Sequence, residues 1–193
     1  MRGYKQITLK MIHRLLILLV CGMILSMFNL VYAHEGHEGD SFKRFGILHM
    51  NGQEAPPEFR LPNMKGEMIT LSDFKGRTVF LNIMTVGCEP CQKEMPAMEL
   101  LHKEYKDRGL VVLGIFIDIT PDNISFMGSY LSEYGLTFPI LFLHGGKMKG
   151  LTLGWTPITY LIDRDGRLIG KVIGLKDWTS DDARRVIDEI SAK

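Results

Sequence analysis

Apolar and polar positions alternate in two distinct rhythms along most of this chain. Residues 78–84 and 110–117 are continuous runs of β-branched and apolar side chains, the mark of strands buried on both faces. Shorter runs of the same kind occupy 138–143 and 158–162. Between them, residues 91–108, 121–134 and 181–193 carry the wider spacing of helices. Residues 59–62 and 68–71 flank a turn at Lys65-Gly66 and predict a short hairpin, and residues 72–76 read as a helical turn closed by glycine. A second turn, Asp163-Arg164-Asp165-Gly166, leads from the 158–162 strand into another at 167–173. The order hairpin, β, α, β, α, β, β, β, α predicts an α/β fold, a mixed central sheet with helices on both faces and the hairpin as an N-terminal extension.

The first 33 residues follow a different pattern. Residues 2–14 are basic, 15–28 are almost wholly apolar, and Val31-Tyr32-Ala33 offers the small side chains that a signal peptidase reads. The segment 1–33 is therefore expected to be a secretory signal or, if retained, a membrane anchor, because its apolar run approaches the length that spans a bilayer. Either outcome places the rest of the chain outside the cytoplasm. Residues 34–52 open with His34-Glu35-Gly36-His37-Glu38-Gly39-Asp40 and are expected to form a flexible tether, with one folded domain over 53–193.

Composition narrows the function classes. With 46% hydrophobic and 23% charged residues the chain is an ordinary globular protein, not a disordered one. The formal charge of +1 conceals a split. The four basic residues of the leader (Arg2, Lys5, Lys10, Arg14), taken from the 23 in the chain, leave 19 against 22 acids, a charge of −3. A nucleic-acid partner, which calls for a basic face, is not expected.

Three cysteines are present, Cys21, Cys88 and Cys91, and the leader holds the first. Two cysteines cannot build a disulfide framework, and no further pair at ligand spacing completes a structural zinc site. What remains is a Cys-x-x-Cys pair, Cys88-Glu89-Pro90-Cys91, directly after a buried strand and at the opening of a helix. There, unpaired backbone N–H groups and the positive end of the helix dipole favour thiolate over thiol, lowering a cysteine pKa from about 8.5 toward 7. Cys88 is the expected nucleophile, and Cys91, one turn on, is placed to attack a mixed disulfide formed at Cys88. Pro90 suits the first turn because its missing N–H would lack a partner there. Thr156-Pro157 precedes the 158–162 strand and is expected to be cis, turning the Thr156 backbone outward to pair with a docked substrate strand.

The stretch from Asn82 through Cys88, Cys91 and Glu94 to Pro96, and the stretch Trp155-Thr156-Pro157-Ile158-Thr159-Tyr160-Leu161-Ile162-Asp163, resemble the TlpA/ResA-like thioredoxin family of exported thiol–disulfide oxidoreductases. The resemblance covers about residues 50–193. It implies a thioredoxin fold, no cofactor, a periplasmic or membrane-tethered setting, and reduction of disulfides in other exported proteins, apocytochromes c among them. It also implies a membrane electron donor of the DsbD/CcdA kind. Glu94 matches the acidic position of the family pattern and, three residues past Cys91, stands on the same helix face for proton exchange with the thiols. Glu89 places negative charge beside Cys88 and favours the reductant. Glu89, Pro90 and Thr156 are the expected docking residues. One departure stands out: Gly87 occupies the position where many relatives carry tryptophan.

Two rival classes share parts of this pattern. Thr85-Val86-Gly87-Cys88 matches the end of a peroxiredoxin-like peroxidatic motif, although Leu81 stands where its proline belongs. An SCO-like copper chaperone would use both cysteines and a histidine, for which His34, His37 and His144 are candidates, but its cysteines are spaced more widely.

Overall fold

The computed structural model describes residues 17, 19–20, 23, 38–50, 58–117, 119–145 and 155–191. Contacts divide the chain into two units, Met1–Asp40 and Ser41–Lys193. In the first, Ile17, Leu19, Val20 and Met23 are helical and exposed. Among the described residues no helix is long and apolar enough to cross a membrane.

The elements in chain order are α1 (Glu38–Phe45), β1 (Leu48–His49), β2 (Arg60–Pro62), β3 (Met68–Thr70), a 3-10 turn (Leu71–Phe74), β4 (Thr78–Thr85), α2 (Glu89–Tyr105), β5 (Leu110–Ile117), α3 (Pro121–Glu133), β6 (Ile140–Phe142), β7 (Ile158–Ile162), β8 (Leu168–Ile173) and α4 (Asp181–Ser191). Six strands form one mixed sheet in the order β1-β8-β7-β4-β5-β6, while β2 and β3 pair as the separate expected hairpin. β4 lies at the interior of the sheet, parallel to β5 from Thr78↔Leu110 to Thr85↔Ile117 and antiparallel to β7 from Val79↔Ile162 to Ile83↔Ile158. Such a strand has no free edge and no wet face, which is why its sequence is nearly all apolar.

Alternation along β4 sends Phe80 and Met84 into one apolar cluster and Val79, Leu81 and Ile83 into the other. Met95, Met98, Leu101 and Tyr105 of α2 pack on the Phe80 side, together with Met127 and Tyr130 of α3 and Val186, Ile187 and Ile190 of α4. The opposite cluster is covered by Leu61 and Ile69 of the hairpin and by Leu71 and Phe74 of the 3-10 turn. Helices on both faces were expected; among the described residues all four helices supply one cluster, and the hairpin covers the other. Residues 146–154 lie outside the described residues.

The expected tether over 34–52 is corrected over residues 38–50, while 34–37 and 51–52 lie outside the described residues. α1 buries Phe42 and Phe45, Ile47 follows them into the core, and β1 adds an edge strand to β8 through Leu48↔Lys171 and His49↔Gly170. Gly170 makes the docking possible, since a Cβ there would lie 2.6 Å from Ile47 Cγ2 and 3.4 Å from Phe42 Cε1. The helix expected at Cys91 begins two residues earlier, at Glu89, and continues through Pro96 to Tyr105.

If α1 belongs to the core, Phe42→Ala lowers the unfolding free energy by about 3–5 kcal/mol in urea titration, as for other buried phenylalanines. A residue on a loose tether would change it by no more than about 0.5 kcal/mol.

Candidate functional site

β4 delivers the chain from the middle of the sheet to the start of α2, and both cysteines lie at that junction. Cys88 caps the helix, its Sγ accepting the Cys91 N–H at 3.2 Å, with Pro90 inside the first turn. Cys88 and Cys91 are joined by a disulfide, their Cα atoms 5.3 Å apart. The two sulfurs differ in access: Cys91 is 0% exposed, whereas Cys88 is half-buried at the surface. Gly87 enters this junction at φ +77°, in the left-handed region where glycine is at ease.

The Thr156–Pro157 bond is cis, as its setting in the sequence predicts. Pro157 is buried and Thr156 half-buried, and the Thr156 hydroxyl lies 3.5 Å from Cys88 Sγ and 3.2 Å from Thr85 Oγ1. Trp155, one residue earlier, is 81% exposed. Glu89 is exposed and pairs with Lys93 at 2.7 Å. The Lys93 hydrogen bond and then its charge hold the Glu89 carboxyl below the ordinary value, so Lys93 offsets much of the negative field that Glu89 would otherwise lend Cys88.

Glu94 departs most from an ordinary helix glutamate. It is 2% exposed, on the Cys91 face of α2. Its Oε1 accepts the Trp178 indole N–H at 2.6 Å and the Lys176 backbone N–H at 3.1 Å, and its Oε2 accepts the Asn82 amide at 3.1 Å. Burial raises its pKa to about 7, against the opposing pull of these donors and of the Lys176 charge. The carboxyl therefore exchanges its proton near neutrality, in the range useful for moving protons to and from thiols.

Sequence reasoning missed the partners of that carboxyl, Asn82 on β4 and Lys176 and Trp178 before α4, and Thr159 on β7, which accepts from the Asn82 amide. One signal was present. Asn82 is the one amide inside an otherwise apolar run, and a buried amide requires hydrogen-bond partners.

His34 and His37 lie outside the described residues. His144 is exposed and its Nδ1 sits 3.1 Å from the Ile119 carbonyl oxygen. Among the described residues, no three His, Cys, Asp or Glu side chains cluster as metal ligands. A cavity of about 290 Å³ lined by Phe59, Leu71, Phe74 and Ile162 opens beside Val79, at the start of β4, whereas Cys88 follows its end.

Residues 50–187 match the Redoxin family. The chain is 34% identical over 167 residues to the thiol-disulfide oxidoreductase ResA of Bacillus cereus, an alignment covering 86% of this chain and 88% of that protein. It is 38% identical over 126 residues to the thioredoxin-like protein YneN of Bacillus subtilis, covering 65% of this chain and 72% of the relative. Among solved structures, a candidate DsbE thiol:disulfide interchange protein from Chlorobium tepidum superposes with a TM-score of 0.65 at 25% identity, over 75% of this chain and 99% of its own. A DsbF homologue from Corynebacterium diphtheriae shares the fold with a TM-score of 0.62 at 24% identity, over 74% of this chain and 92% of its own.

The raised pKa of Glu94 has a sign for stability. Between about 4.5 and about 7 the folded state keeps a proton that the unfolded chain has released, so stability is highest below 4.5 and falls as pH rises through 7. Relative to Glu94→Gln, the wild type is expected to lose about 3 kcal/mol of unfolding free energy across that window in denaturant titrations. A pH-independent difference between the two proteins would reject a carboxyl that titrates near 7.

Proposed function

We propose, from the premise that this chain belongs to the Redoxin family and is a TlpA/ResA-like thiol–disulfide oxidoreductase, that its Cys88/Cys91 dithiol reduces disulfides of exported proteins outside the cytoplasm. The observation that carries the reading is the unequal access of the two sulfurs, with Cys88 at the surface and Cys91 sealed behind it.

In the dithiol form, the Cys88 thiolate attacks one sulfur of a substrate disulfide. The substrate S–S bond breaks, its second sulfur departs with the electron pair and takes up a proton, and a Cys88–substrate disulfide forms. Cys91 then gives its proton to Glu94, and the resulting thiolate attacks Cys88 Sγ. The substrate's remaining sulfur leaves with the electron pair and is protonated from Glu94. Two electrons and two protons pass to the substrate, and the Cys88–Cys91 bond is left behind. Burial of Cys91 keeps it from meeting substrates first. Thr156 and Pro157 provide the docking edge beside Cys88, and the exposed Trp155 offers apolar surface close to that edge, in place of the tryptophan that Gly87 lacks.

The chain's leader supports export: a basic start, an apolar core and Val31-Tyr32-Ala33. Apocytochrome c is a substrate that this reading accommodates, and a DsbD/CcdA-like membrane protein would restore the dithiol. The peroxidase alternative is disfavoured by Thr85, whose hydroxyl bonds Thr156 instead of Cys88.

The test is disulfide trapping in the exported compartment. Cys91→Ser is expected to accumulate covalent complexes with exported proteins that disappear on reduction, and the Cys88→Ser, Cys91→Ser double variant none. Absence of complexes together with rapid peroxide consumption by the wild type would replace this reading with the peroxidase.

A further inference from the structure

We propose that Asn82 is a positioning residue for Glu94, its side-chain amide turning over as Glu94 gains or loses a proton. The inference rests on the reading that Glu94 exchanges protons with the dithiol, and it concerns how a buried carboxyl can do so without setting donor against donor.

Asn82 lies at the middle of β4, in register with Thr159 of β7. Both side chains are buried, Asn82 at 1% exposure. The Asn82 Nδ2 donates to Glu94 Oε2 at 3.1 Å and to Thr159 Oγ1 at 2.9 Å, while its Oδ1 is buried with no hydrogen-bond partner among the described residues. This orientation suits an ionised Glu94, all of whose contacts are then donors.

A protonated Glu94 needs something else. Its Oε1 already receives two donors, the Trp178 indole and the Lys176 backbone N–H, so the proton belongs on Oε2. There it would point at the Asn82 NH2 group, donor against donor. A half-turn of the Asn82 amide exchanges Nδ2 for Oδ1, which accepts the Glu94 O–H. Thr159 serves both orientations, because a hydroxyl can accept from Nδ2 or rotate to donate to Oδ1. Either way one end of the amide faces the same unpartnered position, so the two orientations differ mainly in which state of Glu94 they match.

The other neighbours of Glu94 do not have this freedom. Trp178 is donor-only and wedged between Phe45 and Phe80, and the Lys176 N–H is backbone. The Lys176 ammonium supplies the nearby positive charge, lying 5.5 Å above the Phe45 ring. From β4 and β7 come Asn82 and Thr159, and from α2 Cys91 one turn earlier, with Cys88 bonded to it.

The experiment is NMR titration of the full chain with its disulfide intact, so that thiol chemistry is excluded. In the wild type the Asn82 side-chain NH2 resonances are expected to move with the same midpoint as the Glu94 carboxyl carbon, and to stay still in Glu94→Gln. Asn82→Leu removes the donor of the ionised state and the acceptor of the protonated one together; because the charge-assisted bond is the stronger, the proton affinity of Glu94 should still rise, by about threefold. Thr159→Val, which keeps the amide but removes its hydroxyl partner, should shift that affinity in a folded protein even where Asn82→Leu fails to fold. Static Asn82 resonances across the Glu94 titration would overturn the proposal. A moved Glu94 midpoint with an unchanged pH profile of disulfide reduction would instead count against the Glu94 role in the proposed function, and leave the amide coupling standing.

Discussion

Removing a carboxylate from water costs several kcal/mol unless other donors replace the solvent. At Glu94 three donors do so, from β4 and from the segment before α4. Together they fix the first turns of α2 against the sheet on one side and against Trp178 on the other. Trp178 in turn packs between Phe45 of α1 and Phe80 of β4. One buried acid thus ties three parts of the chain, β4, the segment before α4 and, through Trp178, α1, to the helix that carries the cysteines. The tie has a chemical consequence as well as a mechanical one, because incomplete replacement of water leaves the carboxyl able to change protonation near neutral pH.

Above that anchor the two cysteines are unequal by construction. Cys88 is the cap of α2, beyond the end of a strand that has no exposed edge, so it arrives at the surface. Cys91 is one turn inward, over the Met95 and Met98 stripe. The Thr156 hydroxyl reaches the outer sulfur from β7's approach and shares a hydrogen bond with Thr85 of β4. Neighbouring strands therefore set both the outer sulfur and the cis Thr156–Pro157 pair beside it.

Much of this is legible in the sequence, and for a common reason. Strands β4 and β5 are buried on both faces, so their composition announces them, and the Cys-x-x-Cys spacing at the end of one of them narrows the chemistry to dithiol exchange. The cis Thr156–Pro157 pair is legible through its placement before a short strand. What escapes is whatever depends on distant pairing. α1 contains only two apolar residues, Phe42 and Phe45, amid charge and glycine, and β1 is two residues long, too short to show alternation. Their one trace is Gly170, whose missing side chain makes room for them. Spacing puts Glu94 on the Cys91 face of the helix, but nothing local reveals that Trp178, 84 residues away, reaches it.

Gly87 occupies open space, with nothing within 4 Å of a Cβ placed there, yet its backbone lies at φ +77°. Room is not what excludes a tryptophan at this position; the conformation is, at a cost on the order of 1–2 kcal/mol for a residue with a Cβ. A change of glycine to tryptophan would therefore have to be accompanied by a different path for residues 85 to 88. Because the Gly87 backbone leads directly into the Cys88 cap, a side chain here would act first on where the outer sulfur sits and only then on what that sulfur touches.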